Sequence, residues 1–172
     1  SSIQMRWIEP GQAIGTPDVL IIPGSKQTIK DLEILKSTGM ETQIENYAQN
    51  GGNIFGICGG LQMLGQSLED PYNKESINGI SSFSYKGMNL LPIKTTFGKF
   101  KHSSQREEIV TWPEERNVKG FEMHYGKSNL IGNTSFDIIS LFRDSSLGWI
   151  HEKKDQSFIG GTYLHGIFEN DE

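Results

Sequence analysis

The chain has 172 residues and a formal net charge of −5, with 20 glycines, 35% hydrophobic and 22% charged residues. This composition is typical of one globular domain with many tight turns, and its negative charge argues against nucleic acid or an acidic membrane as a partner. No apolar run approaches the roughly 20 residues that cross a bilayer, and one cysteine cannot form an internal disulfide, so we expect a cytoplasmic protein.

The first half of the chain alternates between strand and helix patterns. Strands are predicted at "IQMRWI" (residues 3–8) and "DVLIIPG" (18–24), the latter as an apolar run buried on both faces of a parallel sheet. Helical spacing follows over residues 28–35 and about 41–49, where "NGG" ends the second helix. A short strand, "NIFGI", then leads through a glycine turn into a helix over residues 61–67.

The second half reads as mostly β. Alternating stretches predict strands at "EEIVTW", "VKGFEMHYG", "FDIISLF" and "FIGGTYLHG". Without an internal repeat or a clear linker, the sequence predicts a single α/β domain over residues 1–172. The chain opens without an initiator methionine and stops directly after an apolar segment, so we expect an excised part of a longer protein.

The lone cysteine, Cys58, stands in "GICGG", which has the form G-x-nucleophile-x-G. A sharp strand-to-helix turn exposes such a residue and needs small neighbours. The positive end of the following helix is expected to lower the pKa of the thiol, and the N–H of Gly59 is placed to stabilise an oxyanion. The alternative is a buried cysteine that serves only as a small hydrophobe.

A nucleophilic thiol needs a base, and two histidines suit that role. His165 ends the apolar run "FIGGTYL" before a glycine, and His124 has a similar setting in "GFEMHYG". Spacing alone leaves the choice between them open. His102 and His151 lie in polar stretches and are expected to be solvated.

The loop "PGSKQT" also follows a strand and opens a helix. Backbone N–H groups of Gly24 and Ser25 could complete a two-donor oxyanion hole. The alternative is an ordinary turn in which Ser25 or Thr28 caps the helix. No metal-binding pattern occurs in the sequence, and we expect no metal site.

These motifs resemble the class I, or triad-type, glutamine amidotransferases. Four segments carry the resemblance in order over residues 18–171: "VLIIPGSKQTIKDLEIL", "GICGGLQMLGQSLEDP", "GFEMHYG" and "GTYLHGIFEND". Together they are most similar to the corrinoid-amidating branch, the cobyric acid synthases. The resemblance implies a flavodoxin-like, mostly parallel sheet with flanking helices, followed by a β-rich second half.

The resemblance also implies roles for individual residues. Cys58 would attack the side-chain amide of glutamine to give a thioester and ammonia, and His165 would match the catalytic histidine. Gly59 and the "PGS" loop would supply the oxyanion donors, while Gln62 would line the substrate pocket. His124 matches a segment near the active centre, without an assigned role.

Two departures from the wider family stand out. Ile167 occupies the position at which most class I members carry a third catalytic residue, a glutamate, so we expect a Cys–His dyad; Glu169 lies two residues further on. The chain also contains no phosphate loop. The resemblance therefore implies that a separate synthetase domain uses ATP and Mg²⁺ to amidate the corrinoid, with no cofactor in this domain.

Three other functions stay open at this point. The chain could be the glutaminase of another cobyrinate-type or cell-wall amidating ligase. It could be a thiol hydrolase that hands on no ammonia, or a catalytically silent binding module.

Overall fold

The computed structural model describes residues 3–75, 82–132 and 137–170. Its helices are α1 (Thr28–Ser37), α2 (Met40–Gln49) and α3 (Gly59–Leu64), and a short 3-10 turn covers Ile167–Glu169. The strands are β1 (Val19–Ile22), β2 (Asn53–Ile57), β3 (Ser67–Glu69), β4 (Ser84–Lys86), β5 (Ile93–Val110), β6 (Arg116–Leu130), β7 (Ile138–Ser140), β8 (Gly148–Glu152), β9 (Phe158–Thr162) and β10 (Leu164–His165). Among these described helices, none is long and apolar enough to cross a bilayer.

The strands form two five-stranded sheets, in the orders β1-β2-β9-β8-β7 and β10-β6-β5-β3-β4. In the first sheet, β1, β2 and β9 are parallel, and β8 and β7 add antiparallel strands. The second sheet is antiparallel except for the β3–β5 pair. The α/β class and the β-rich second half are confirmed, with parallel pairing concentrated around β2.

Strand β1 differs from its prediction in burial. It lies at the edge of the first sheet, and Val19 and Ile21 are 42% and 43% exposed. Its neighbour β2, which lies inside the sheet, is buried on both faces. Its Ile54 belongs to the core that contains the helices, and Phe55 belongs to a second core on the other face. A continuous apolar run therefore marked a strand correctly but did not distinguish an edge from a centre.

Other boundaries also differ. Residues 3–8 form no strand, because they pair with none of the described strands. Trp7 in this segment is 79% exposed. The third helix is shorter than predicted, since Gly65 is already extended and residue 67 starts β3. Strand β5 extends far beyond "EEIVTW", and β3, β4 and β8 were not predicted. Residue 136 of the predicted "FDIISLF" strand lies outside the described residues.

Two glycines let α3 pack directly against the ends of two strands. A Cβ on Gly60 would overlap the carbonyl group of Ile22 in β1, and one on Gly56 would lie 2.5 Å from the backbone nitrogen of Leu61. Neither neighbour is a flexible side chain, so only glycine fits. The close approach fixes the position of the residue between β2 and α3, which is Cys58.

The substitution Gly60→Ala should therefore destabilise the protein by about 1–3 kcal/mol, because its methyl group would displace backbone. Urea unfolding measures the change in the free energy of unfolding. Gly98→Ala is the matched control: its methyl group would meet nothing closer than the Tyr125 carbonyl at 3.3 Å. It should change the free energy of unfolding by less than about 1 kcal/mol. Equal effects of the two substitutions would contradict the close-packing argument.

Candidate active site

Cys58 occupies the turn between β2 and α3 in a conformation that few side chains adopt. Its φ is 51° and its ψ is −104°. Its N–H donates to the carbonyl of Thr162 at 2.7 Å, and its own carbonyl accepts the N–H of Gln62 at 3.1 Å. The first bond joins the turn to the end of β9, and the second starts α3. This geometry is the strained strand–turn–helix elbow that the sequence predicted.

The electrostatics of the thiol differ from the prediction. Burial raises the pKa of Cys58 to about 11, although the N–H of Gly59 and the charge of Lys101 act in the opposite direction. The expected lowering was wrong because Cys58 is only 5% exposed, so the loss of hydration outweighs the helix end. The Sγ–H also donates to the carbonyl of Met123 at 3.7 Å. The resting cysteine is therefore a neutral thiol.

His165 lies three residues beyond the end of β9, and β9 pairs with β2, the strand that leads into Cys58. It sits in β10, which crosses into the second sheet and pairs His165 with Phe121. The two rings stack with centroids 5.0 Å apart and 11° between their planes. The Nε2 atom is buried and has no hydrogen-bond partner in the described structure. Burial, aided by the charge of His124, lowers the pKa of His165, so its ring is a neutral base.

Gly24 brings the nucleophile and the histidine together. A Cβ built on Gly24 would lie 3.2 Å from Cε1 of His165 and 3.9 Å from Cβ of Cys58. Because both contacts converge on one exposed glycine, the two side chains border the same space. The missing Gly24 side chain leaves that space open.

The "PGS" loop lies against the cysteine turn, as the oxyanion hypothesis requires. A Cβ on Gly59 would lie 2.9 Å from the backbone nitrogen of Ser25. The Ser25 hydroxyl itself is engaged elsewhere: it donates to Asp31 and accepts the N–H of Gln27 at 3.0 Å. The N-cap of α1 is Gln27, so neither Ser25 nor Thr28 occupies that position. Ser25 therefore contributes backbone to the site, while its side chain holds the loop.

Gln62 lies inside the protein instead of on an open pocket wall. It is 2% exposed, accepts the hydroxyl of Thr28 at 3.2 Å and donates to the hydroxyl of Tyr163 at 3.2 Å. The Tyr163 hydroxyl is also bonded to Ser128, which in turn is bonded to Thr95, each at 2.6 Å. The pocket role implied for Gln62 does not fit this arrangement. Its amide joins the start of α1 to the residue before β10.

His124 is the second histidine near the cysteine turn, but both of its ring nitrogens are engaged. Its Nδ1 lies 2.6 Å from the carbonyl of Gly126, and its Nε2 lies 2.9 Å from the carboxylate of Glu122. The geometry favours His165 over His124 as the base, since in the described structure Nε2 of His165 has no partner and both ring nitrogens of His124 have one. His102 is 52% exposed and contacts Glu122 from the solvent side.

Glu122, Met123 and Phe121 are contacts that the sequence did not single out. All three belong to β6, and Glu122 is buried. The available signal was the charged residue inside the apolar stretch "GFEMHYG", since a carboxylate is rarely buried without partners. No carboxylate hydrogen-bonds the His165 ring in the described residues, and Ile167 packs against the second core. Nor do these residues gather three or more His, Cys, Asp or Glu side chains into a potential metal site.

Tyr163→Phe tests the internal network around Gln62. Loss of the hydroxyl leaves one donor of the buried Gln62 amide unpaired, which should lower the free energy of unfolding by about 1–3 kcal/mol. Denaturant titration provides the measurement. Tyr72→Phe is the control, because Tyr72 is 47% exposed and its hydroxyl has no hydrogen bond in the described structure. A Tyr163→Phe protein as stable as the parent would contradict the network.

The raised thiol pKa predicts a particular alkylation profile. Without glutamine, the rate of iodoacetamide modification of Cys58 should climb about tenfold per pH unit from neutral pH, because only the thiolate reacts. The climb should continue toward the pKa of about 11. A short cysteine peptide blocked at both ends, measured alongside, should level off near the ordinary cysteine pKa of about 8.5. Mass spectrometry of the Cys58 peptide gives the rate, and levelling at or below pH 8.5 would contradict the buried thiol.

The amino-acid sequence is similar to those of several curated proteins. A cobyric acid synthase of Prochlorococcus marinus strain NATL1A is 73% identical over 172 residues, covering all of this chain and 35% of the relative. The cobyric acid synthase of strain NATL2A is 74% identical over 172 residues, which cover all of this chain and 34% of that relative. The protein of strain MIT 9313 is 47% identical over 170 residues. The chain thus spans about a third of the length of these curated relatives.

Solved structures share the fold. A glutamine amidotransferase crystal structure matches with a TM-score of 0.60 and 16% identity, covering 90% of this chain and 73% of that one. A chain in the structure of PurLQS from Thermotoga maritima matches with a TM-score of 0.58 and 14% identity. The match covers 90% of this chain and 71% of that one. The family model described as the CobB/CobQ-like glutamine amidotransferase domain matches residues 1–172. The chain therefore belongs to the CobB/CobQ-like glutamine amidotransferase domain family.

Proposed function

We propose that this chain is the glutaminase domain of a cobyric acid synthase, with Cys58 as nucleophile and His165 as its base. The observation that carries the proposal is the buried Nε2 of His165, which has no partner among the described residues and belongs to the ring whose Cε1 shares the Gly24 space with Cys58. A buried nitrogen without a partner is costly, and at a catalytic centre it is an acceptor kept free for a proton.

The first step is attack on glutamine. Nε2 of His165 accepts the thiol proton, and Sγ of Cys58 forms a bond to the side-chain carbonyl carbon of the substrate. The carbonyl electron pair moves onto oxygen, which gives a tetrahedral oxyanion. Because the pKa of His165 is lowered, its ring is neutral and can accept a proton. Because the pKa of Cys58 is raised, the thiol stays protonated until His165 accepts that proton.

The next steps release ammonia and regenerate the thiol. Backbone N–H groups of Gly59 and of the Gly24–Ser25 loop stabilise the oxyanion, and the imidazolium of His165 donates its proton to the leaving nitrogen. The carbon–nitrogen bond breaks, leaving a γ-glutamyl thioester. Water, deprotonated by His165, then attacks the thioester, and glutamate departs as the thiol recovers its proton.

The ammonia would be used outside this domain. High identity to cobyric acid synthases over about a third of their length supports a role beside a synthetase domain that uses ATP and Mg²⁺. We propose that this partner amidates peripheral carboxylates of a corrinoid for cobalamin synthesis. A single cysteine is compatible with the reducing cytoplasm where we expect the protein to act.

The substitution Cys58→Ala should abolish glutamine-dependent amidation in the complete protein, while amidation from ammonium should persist. His165→Gln should lower glutaminase kcat by about 10²–10⁴-fold, because the base is lost. Glutamate release and corrinoid product are measured separately. Loss of both activities in Cys58→Ala would overturn the division of labour.

Substrate range separates the remaining alternatives. A thiol hydrolase that hands on no ammonia would cleave a γ-glutamyl peptide in preference to glutamine. A silent binding module would cleave neither and would leave Cys58 unmodified by a glutamine-like diazo-ketone. The proposal expects cleavage of glutamine and modification of Cys58 in the wild-type protein.

A further inference from the structure

One short segment of β6 contacts both members of the candidate dyad. The ring of Phe121 stacks on His165, and the carbonyl of Met123 accepts the thiol of Cys58. These residues are two positions apart on the strand, and β6 reaches the nucleophile through the Met123 backbone and the base through the Phe121 side chain. Any shift of this segment would move both reacting groups.

His124 fixes the segment from within the strand. The partners of both ring nitrogens, the Gly126 carbonyl and the Glu122 carboxylate, are acceptors. Only the doubly protonated ring can donate to both at once. The same ring stacks on Tyr163 with centroids 4.0 Å apart, and Tyr163 immediately precedes the strand that carries His165.

Glu122 is in turn held from β5. Its Oε1 accepts Nε of Arg106 at 2.5 Å, and His102 lies 3.4 Å from the same oxygen. Burial raises the pKa of Glu122, but hydrogen bonds from His124 and Arg106 outweigh it and lower that pKa overall. The buried carboxylate is therefore an anion held by contacts with His124 and Arg106. In the β6–β10 pairing, Glu122 faces Leu164, next to His165.

Building on the proposed function, we propose that the Glu122–His124 pair is the positioning element of this centre. It holds the Met123 carbonyl against the Cys58 thiol and, through the Tyr163 ring, the strand of His165. Neither residue touches the reacting atoms, so both act through others. The pair thus supplies the positioning, though not the added basicity, that most triad enzymes obtain from an acid at the position of Ile167.

The charge of His124 gives the pair a measurable signature, because it contributes to the lowered pKa of His165. Removing that charge lets the pKa of His165 rise toward its ordinary value. The base must be neutral to accept a proton, so the acidic limb of the kcat profile moves to higher pH. The titratable and charged groups facing this pair and the dyad are Lys101, His102 and Arg106 from β5, Glu122 and His124 from β6, Tyr163 and His165 around β10, and Cys58.

The experiment compares Glu122→Gln and His124→Gln with the parent in the complete protein, using glutaminase kinetics from pH 5 to 10. We expect kcat to fall about 10- to 100-fold with KM changed less than about threefold, because positioning is lost and substrate contacts are kept. The acidic limb should move to higher pH in His124→Gln, which removes the charge that adds to burial in lowering the pKa of His165. A constant fraction of unfolded protein scales kcat without moving the limb, and circular dichroism of each variant at each pH separates a true shift from acid unfolding.

His102→Gln is the matched control, since it removes a histidine that contacts the same carboxylate from the solvent side. It should leave kcat within about twofold and the acidic limb in place. An unmoved limb in His124→Gln, an unchanged kcat in both Glu122→Gln and His124→Gln, or an equal limb shift in His102→Gln would overturn the proposal. Cys58→Ala separates failure of the proposed function from failure of the positioning role. If Cys58→Ala retains glutaminase activity, the proposed function fails. If Cys58→Ala is inactive and the limb of His124→Gln is unmoved, only the positioning role is overturned.

Discussion

The hydrogen bond from the Cys58 N–H to the Thr162 carbonyl is the contact on which the site depends. It extends the parallel pairing of β2 and β9 by one step beyond the end of β2, at the point where the chain reverses into α3. The same bond fixes where β9 ends, and His165 follows three residues later. One backbone contact therefore fixes the position of the proposed nucleophile and of the strand end from which the proposed base follows.

Burial has opposite effects on the two groups, and together they favour catalysis. It raises the pKa of the Cys58 thiol and lowers the pKa of His165, so at neutral pH the resting pair is a thiol and a neutral imidazole. Desolvation disfavours the charged form of each. The buried thiol is protected from oxidation and adventitious alkylation, because the reactive thiolate forms only when a proton acceptor and a substrate are in place. Reactivity is thereby coupled to binding.

Local sequence was sufficient for the parts of the fold that depend on neighbours along the chain. The "GICGG" turn, the three helices and the β-rich second half follow from spacing and small residues. Burial did not follow, because the exposure of Val19 and the interior place of Gln62 depend on strand order and on partners far along the chain. The thiol pKa was mispredicted for the same reason: a helix end is visible in sequence, whereas the surfaces that cover the sulfur come from other elements.

A dyad without a third carboxylate still needs something to hold the imidazole. Here the ring of His165 lies flat on Phe121, a contact worth about 0.5–1.5 kcal/mol that fixes the plane of the ring without engaging its nitrogens. A hydrogen-bonded acid would fix one tautomer and raise the basicity of the ring, whereas stacking leaves Nε2 without a partner in the described structure and available to the thiol. The ring can therefore present Nε2 to the thiol and then turn its proton toward the leaving nitrogen. Orientation by an aromatic face, with charge supplied from His124, gives the histidine freedom that a rigid triad does not have.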